Sequence, residues 1–414
     1  MRSVRFVHAA DLHLGAPFAG VDAADPRVRA ALVESPYEAF ERIVSLCIEE
    51  KVDFLVIAGD VYDQTAGFGT QLRFQQQTAR LAEAAIPVFV AEGNHDPESA
   101  RPRDVALPAN VRYFSTASVE RVPVERDGEV VCALYGQGYA RAAETRNLAK
   151  GFSRAKTDPI AIGVLHTNVG GREDTEDYAP STAADLRAAQ MDYWALGHIH
   201  KPEALCESPA IVYAGCPQGR SPKEDGDRGC YLVEVGNGHA EAAFRSTCSV
   251  VWRRIAVDVS TADTLEAVRD SVRSACGDVR ASSDGAPSIV RLDLTGRSAA
   301  HAALARGTNL TDLVRDLRGE QLVASPWVWV DRVRDRTSGV LDVDTLRRAQ
   351  DFSGDLVRLA DETAADPGML ATLAEDLLAS IRSSLGDVAL EMEPRELLER
   401  ARDLCIDRLE GDAR

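Results

Sequence analysis

Five clusters of metal-ligating residue types recur along the sequence: Asp11-Leu12-His13, Gly59-Asp60, Gly93-Asn94-His95-Asp96, His166 and Gly197-His198-Ile199-His200. Five of the eight histidines fall within them. Aspartate, asparagine and histidine offer oxygen and nitrogen but no sulfur. That donor set suits Mn, Fe, Zn or a similar divalent ion and not Ca, which prefers oxygen alone. Asp11 and His13 are two residues apart, as are His198 and His200, so on extended backbone both members of each pair leave on one face. Asp11, His13, Asp60, Asn94, His166, His198 and His200 are more ligands than one ion takes from protein while keeping a water. The set therefore points to two ions sharing a carboxylate, as in two-metal hydrolysis. Asp63 and Asp96 are placed to orient ligands from behind, or else to act as solvated turn carboxylates.

Each cluster closes a short apolar run. Val4 to Ala10, Asp53 to Ala58, Ile86 to Ala91, Ile160 to Leu165 and Tyr193 to Leu196 all read as buried strands bounded by polar residues. The clusters then lie at strand tips, where ligands bind in open α/β sheets. Helical periodicity is expected over Tyr37 to Lys51, with Pro36 in its first turn, and over Phe74 to Ala85, Arg141 to Arg154 and Thr182 to Gln190. Further extended pieces follow Asn110 and Ala210. The fold class is α/β: a core of two sheets flanked by helices over residues 1–258. A small α+β module is expected over 259–336, and helices alone over 342–414: Val343 to Glu362, Gly368 to Leu385 and Pro394 to Leu409. Leu370, Leu373, Leu377 and Ile381 fall at helical spacing in that last region.

At 414 residues the chain can bury a full core. No apolar run approaches the roughly 20 residues of a membrane span, and the start lacks a signal-peptide core, so a soluble cytoplasmic protein is expected. The eight cysteines are scattered without a Cys-x-x-Cys pair, which suggests neither a disulfide framework nor a zinc knuckle. A net charge of −18 argues against nucleic-acid binding by the whole surface. The excess is uneven: Asp342 to Arg414 holds 18 acidic and 9 basic residues, half of it. Arg101 and Arg103 follow the Asn94-His95 loop closely, five basic residues lie between Arg141 and Lys156, and Arg220 and Lys223 occupy a Gly/Pro-rich loop. These residues either track a phosphate backbone or belong to ordinary solvated faces.

In order and in residue type, Asp11-x-His13, Gly59-Asp60-x-x-Asp63, Gly93-Asn94-His95-Asp96, His166 and Gly197-His198-x-His200 resemble the signature of the calcineurin-like metallophosphoesterases. Asp11-Leu12-His13-Leu14-Gly15, Gly197-His198-Ile199-His200-Lys201-Pro202 and Tyr213 to Arg220 are similar to SbcD-type DNA repair exonucleases, more closely to the YhaO-like branch. Leu12 stands where many SbcD proteins carry Trp. The resemblance implies that Asp11, His13, Asp60 and His200 hold one ion and that Asp60, Asn94, His166 and His198 hold the other, with Asp60 bridging. It implies Mn²⁺ as the working metal and His95 as the residue that steadies or protonates the leaving oxygen. The reaction it implies is attack of activated water on a phosphodiester, by a DNA nuclease subunit of repair that acts as an exonuclease, with endonuclease action left open. The implied partners are DNA, a coiled-coil ATPase of the SbcC kind docked on the C-terminal helices, and a second copy of the chain. A phosphodiesterase or phosphatase for nucleotides or other small phosphoesters keeps the same chemistry and is the alternative.

Overall fold

Period-two alternation in the apolar runs sets the layering. The first strands are β1 (Ser3–Ala9), β2 (Phe54–Ala58), β3 (Val88–Ala91) and β4 (Val111–Tyr113). In β1 to β3, Phe6, Phe54, Val56 and Phe89 face one way and Val7, Leu55, Ile57 and Val90 the other. This computed structural model describes residues 3–18, 25–64, 66–171, 176–373, 375–376 and 393–411.

A second group of strands follows: β5 (Glu120–Arg126), β6 (Glu129–Gln137), β7 (Ala161–His166), β8 (Tyr193–Gly197), β9 (Glu203–Glu207) and β10 (Ala210–Tyr213). The chain then returns to the first sheet with β11 (Gly229–Gly236) and β12 (His239–Ser246). The two six-stranded sheets have the orders β12-β11-β1-β2-β3-β4 and β5-β6-β7-β8-β10-β9. Within them β1 to β4 run parallel, as do β6, β7, β8 and β10, while the edges pair antiparallel. Ile162, Val164, Tyr193 and Ala195 from the second sheet join Phe6, Phe54 and Phe89 in one buried layer. This is the two-sheet core expected of the sequence.

Helices α1 (Pro26–Glu49) and α2 (Phe68–Glu83) cover the outer face of the first sheet, where Phe40, Ile43, Val44 and Phe74 meet Val7, Leu55 and Val90. The short α3 (Ala183–Ala188), opened by a Thr182–Asp185 capping box, packs Leu186 against Trp194 and Tyr213 on the second.

Three of the expected helices differ here, and one of them is α2, which starts at Phe68, six residues before the expected Phe74. α1 starts eleven residues before Tyr37, at Pro26 behind an Asp25 cap, so Pro36 lies in its interior and not in its first turn. A proline there cannot donate to the Leu32 carbonyl. The buried Ser35 hydroxyl donates to that oxygen instead, at 2.9 Å, and the helix continues. Residues 141–154 form no α-helix, only a 3₁₀ turn at Leu148–Gly151. Glu144 accepts the Arg146 backbone N–H at 2.9 Å as well as its guanidinium, a local bond that competes with helix.

The chain divides into two compact units, residues 1–255 with 276–291 and 318–332, and residues 256–275 with 292–317 and 333–414. Strands β13 (Val251–Asp258), β14 (Ser288–Thr295) and β15 (Val328–Asp335) make a three-stranded sheet in that order, accompanied by α4 (Leu265–Ser282), α5 (His301–Leu304) and α6 (Asn309–Gln321). The expected helix over Val343 to Glu362 is two, α7 (Val343–Arg348) and α8 (Phe352–Ala365), because Asp351 caps the second through the Gly354 N–H. A final helix spans Pro394–Gly411. The expected helix from Gly368 to Leu385 lies partly outside the described residues, as do Leu377 and Ile381. Among the described residues no helix is long and apolar enough to cross a membrane.

Candidate metal centre

Parallel strands end at a common edge, so the polar clusters behind β1, β2, β3, β7 and β8 arrive together. The turns are abrupt: Asp11, His13, Asp60 and His198 have φ of 50°, 45°, 44° and 99°. Asp11 N–H donates to the Gly59 carbonyl at 3.1 Å and His13 N–H to that of Asp60 at 2.9 Å, which stitches the first two tips together. Two glycines let the sheets meet. A Cβ at Gly59 (φ +100°) would stand 1.8 Å from His166 Nδ1, and one at Gly197 1.5 Å from the Ala58 carbonyl oxygen.

The seven candidate ligands converge. His13 Nε2 and His200 Nε2 are 3.1 Å apart. Asp60 Oδ2 lies 3.7 Å from His13 Nε2 and 3.6 Å from His166 Nε2, so it stands between two groups of donors. Asp11, His13 and His200 form one compact trio of ligand atoms and Asp11, Asp60 and His166 another. Asn94 Oδ1 is 2.9 Å from His166 Nε2. His198 turns Nε2 to the Glu176 carbonyl at 2.8 Å, and its ring stands edge-on to that of His166 with centroids 5.0 Å apart. Asp11 also accepts the His198 N–H at 3.1 Å on both oxygens.

The protonation states fit cations. Burial lowers His13 well below the usual imidazole range, His166 to about 3 and His198 to about 4, so these rings are neutral with lone pairs available. Burial, and then the neighbouring Asp60, raises Asp11 well above the carboxylate range, and burial raises Asp60. Buried acids whose repulsion needs a countercharge and neutral imidazoles aimed at one another are the donor set two divalent ions would satisfy.

His95 differs from the ligands. Its N–H donates to Asp60 Oδ1 at 2.9 Å, and its ring packs edge-on to His13 with centroids 4.7 Å apart. Nδ1 lies 3.4 Å from Asp63 Oδ2, and that carboxylate raises the imidazole pKa. Asp96 braces the loops, accepting the N–H groups of Tyr62 at 3.1 Å and Gly93 at 3.4 Å.

The three arginines singled out by the sequence have separate fates. Arg101 is committed inward, with NH1 2.5 Å from the buried Glu92 and its guanidinium over the Tyr113 ring at 3.8 Å. Arg103 donates to the Glu98 carbonyl at 3.2 Å and is exposed. Arg220 reaches the centre, 3.9 Å from Asp63 Oδ2 and 3.7 Å from Glu224 Oε1.

Glu224 itself escaped the sequence reading. Its Oε1 is 2.7 Å from His200 Nδ1, and although burial works against ionisation, His200 and Arg220 hold its carboxyl down at about 2. The only local signal was an acid four residues after Arg220 in a Gly/Pro-rich loop.

Comparison with known proteins finds two family matches along the chain. The family model for calcineurin-like phosphoesterases matches residues 4–202, and that for the middle domain of metallophosphoesterase YhaO matches 252–338. A Bacillus subtilis protein named "Uncharacterized metallophosphoesterase YhaO" is 34% identical over 348 residues, covering 84% of this chain and 85% of its own. The SbcD component of the Bacillus subtilis nuclease SbcCD is 24% identical over 258 residues, covering 54% of this chain and 64% of its own. A dimetal phosphatase structure from Danio rerio aligns at 11% identity and a TM-score of 0.35, covering 59% of this chain and 96% of that one.

Proposed function

Because the chain belongs to the calcineurin-like metallophosphoesterases, we propose that this metal-dependent phosphoester hydrolase is a DNA nuclease. The observation that carries the reading is the gathering of Asp11, His13, Asp60, His166 and His200 into compact trios of ligand atoms that share Asp11, beside a histidine whose pKa a neighbouring carboxylate raises. The DNA substrate is supported by similarity to SbcD, a component of the nuclease SbcCD.

On this reading Asp11, His13, Asp60 and His200 hold one Mn²⁺, and Asp60, Asn94, His166 and His198 the second. Bound divalent ions would polarise the phosphoryl oxygens and activate water for attack. The protein's own groups do the rest. Asp63 raises the pKa of His95 and so favours its imidazolium, from which His95 can give a proton to the leaving alkoxide of a phosphodiester. Asp60 receives the His95 N–H and thereby fixes the acid relative to both donor groups.

A coiled-coil ATPase of the SbcC kind is the proposed partner. Among the described residues, Leu359, Met369 and Leu373 are 55%, 50% and 44% exposed and line an apolar cleft of about 880 Å³. One observation favours the alternative, a phosphodiesterase for nucleotides or other small phosphoesters: Arg101 faces inward and is committed to Glu92, away from a phosphate backbone.

The test is hydrolysis by the purified chain with Mn²⁺, of linear DNA and in parallel of a small chromogenic phosphodiester. The expected result is DNA cleavage that His95→Ala lowers by about 10²- to 10⁴-fold with metal content intact. Asp60→Ala is expected to lose metal and activity together. Cleavage of the small ester alone, with and without a coiled-coil ATPase, favours the alternative. Normal activity in either variant overturns the assignment of the site.

A further inference from the structure

Residues 217–228 form a loop fixed far more firmly than its Gly/Pro-rich composition suggests. The buried Gln218 side chain donates to the Val250 carbonyl at 2.7 Å and accepts the Ser249 N–H at 2.9 Å. Trp252 Nε1 donates to the Gly219 carbonyl at 2.9 Å, and the Gly226 N–H to the Trp252 carbonyl at 3.0 Å. Arg228, 5% exposed, ties the far end back by donating to the His200 carbonyl at 2.5 Å and to that of Asp225 at 2.9 Å. All of this braces one short stretch, Arg220 to Glu224, against the strand tip that carries His200.

Within that stretch the Glu224 carboxylate faces two ways. One oxygen accepts from His200 Nδ1 at 2.7 Å. That bond fixes the ring's orientation, with Nε2 directed at His13 Nε2. The other oxygen accepts the Arg220 backbone N–H at 2.5 Å and sets the root of that side chain. The Arg220 guanidinium then lies between Asp63 and Glu224, at 3.9 and 3.7 Å, too far for hydrogen bonds to either. Its Nε is buried with no hydrogen-bond partner, and the side chain is only 16% exposed. A cation held in a buried position between two carboxylates, and bonded to neither, has its donor fork in reserve. Planar N–H pairs of this kind match the oxygens of a phosphoryl group.

We propose that the 217–228 loop is a phosphate clamp built onto the metal centre, with Arg220 binding the non-bridging phosphoryl oxygens and Glu224 positioning both Arg220 and the ligand His200. This rests on the reading of the centre as a two-ion phosphoesterase site and adds to it a protein cation for the substrate. Glu224 touches neither ion nor substrate in this role and acts through its two neighbours.

The experiment uses the full chain loaded with Mn²⁺ and reads two quantities besides turnover: bound manganese per chain, and the affinity for inorganic phosphate by calorimetry. Arg220→Ala is expected to keep both ions and wild-type thermal stability while weakening phosphate binding about tenfold or more. Arg220→Lys, which keeps the charge and loses the fork, should recover part of that loss. Glu224→Ala should weaken both readouts, manganese affinity falling about 10- to 100-fold; Glu224→Gln, which keeps one acceptor oxygen, should fall between. With a hydrolysable phosphodiester, Arg220→Ala should raise KM more than it lowers kcat. Unchanged phosphate affinity in Arg220→Ala overturns the clamp, and unchanged manganese binding in Glu224→Ala overturns the positioning role. Wild-type protein that binds manganese and phosphate but leaves DNA intact would count against the nuclease reading and leave the clamp standing.

Discussion

His95 and Asp63 set the pH behaviour of the centre. The acid form of His95 is the working one, so activity that depends on it is present below its pKa and lost as pH rises through that value. The Asp63 carboxylate, 3.4 Å from Nδ1, raises that pKa above the usual 6.5. Asp63→Asn removes the charge, and the alkaline limb of kcat/KM should move to lower pH while the manganese content stays at the wild-type level. An alkaline limb that stays in place would mean that His95 is not the titrating acid. At this scale the sequence was informative where a ligand follows a strand, because an apolar run and a polar cluster are both local signals. Glu224 was not legible, since it works through His200 and stands in a loop without period. Nor was the fate of Arg101 legible, because its partner Glu92 is the buried residue just beyond β3 and looks like any other strand-end acid.

The helix α1 shows what periodicity misses and side-chain chemistry explains. Pro36 reads as a start signal, yet eleven helical residues precede Tyr37 because Ser35 supplies the hydrogen bond that the proline cannot. Ser35→Ala leaves the Leu32 carbonyl without that donor in a buried position, a loss of about 1–3 kcal/mol. Urea unfolding should show that loss with no change in bound metal. In Ser35→Ala/Pro36→Ala the alanine N–H at position 36 can bond to the Leu32 carbonyl, and most of the stability should return. A double variant no more stable than Ser35→Ala would show that the hydroxyl is not the compensating donor. The stretch 141–154 failed in the opposite sense, with helical spacing overridden by Glu144, which captures the Arg146 N–H. Neither outcome depends on the hydrophobic pattern, which is why that pattern alone misplaced both boundaries.

The two-sheet core was legible because β1, β2, β3, β7 and β8 are short apolar runs bounded by polar residues. Its strand order was not, since β11 returns beside β1 to pair Ser3 with Gly236 and no local signal spans that distance. The order matters for stability because the centre joins both sheets. Asp11, Asp60 and Asn94 come from the tips of the first sheet, and His166, His198 and His200 from the second. Ions bound there act as a cross-link that the unfolded chain lacks, so chelation should lower Tm; free metal at about a hundred times Kd corresponds to about 2.7 kcal/mol. The pH dependence of that loss has a definite sign. Asp11 and Asp96 are raised well above the ordinary carboxylate value, first by burial and then by Asp60. A carboxyl whose folded pKa exceeds its unfolded one costs nothing below about pH 4 and loses stability as pH rises toward the folded value. Chelated protein should therefore gain stability on moving from pH 7 toward pH 5.5. Manganese-loaded protein should lose it over the same range, because protons compete with the ions for the same oxygens and nitrogens. The gap in Tm between loaded and chelated samples should then be widest at neutral pH and close on mild acidification. A gap that stays constant or widens toward pH 5.5 would place the bound metal away from Asp11 and its neighbours.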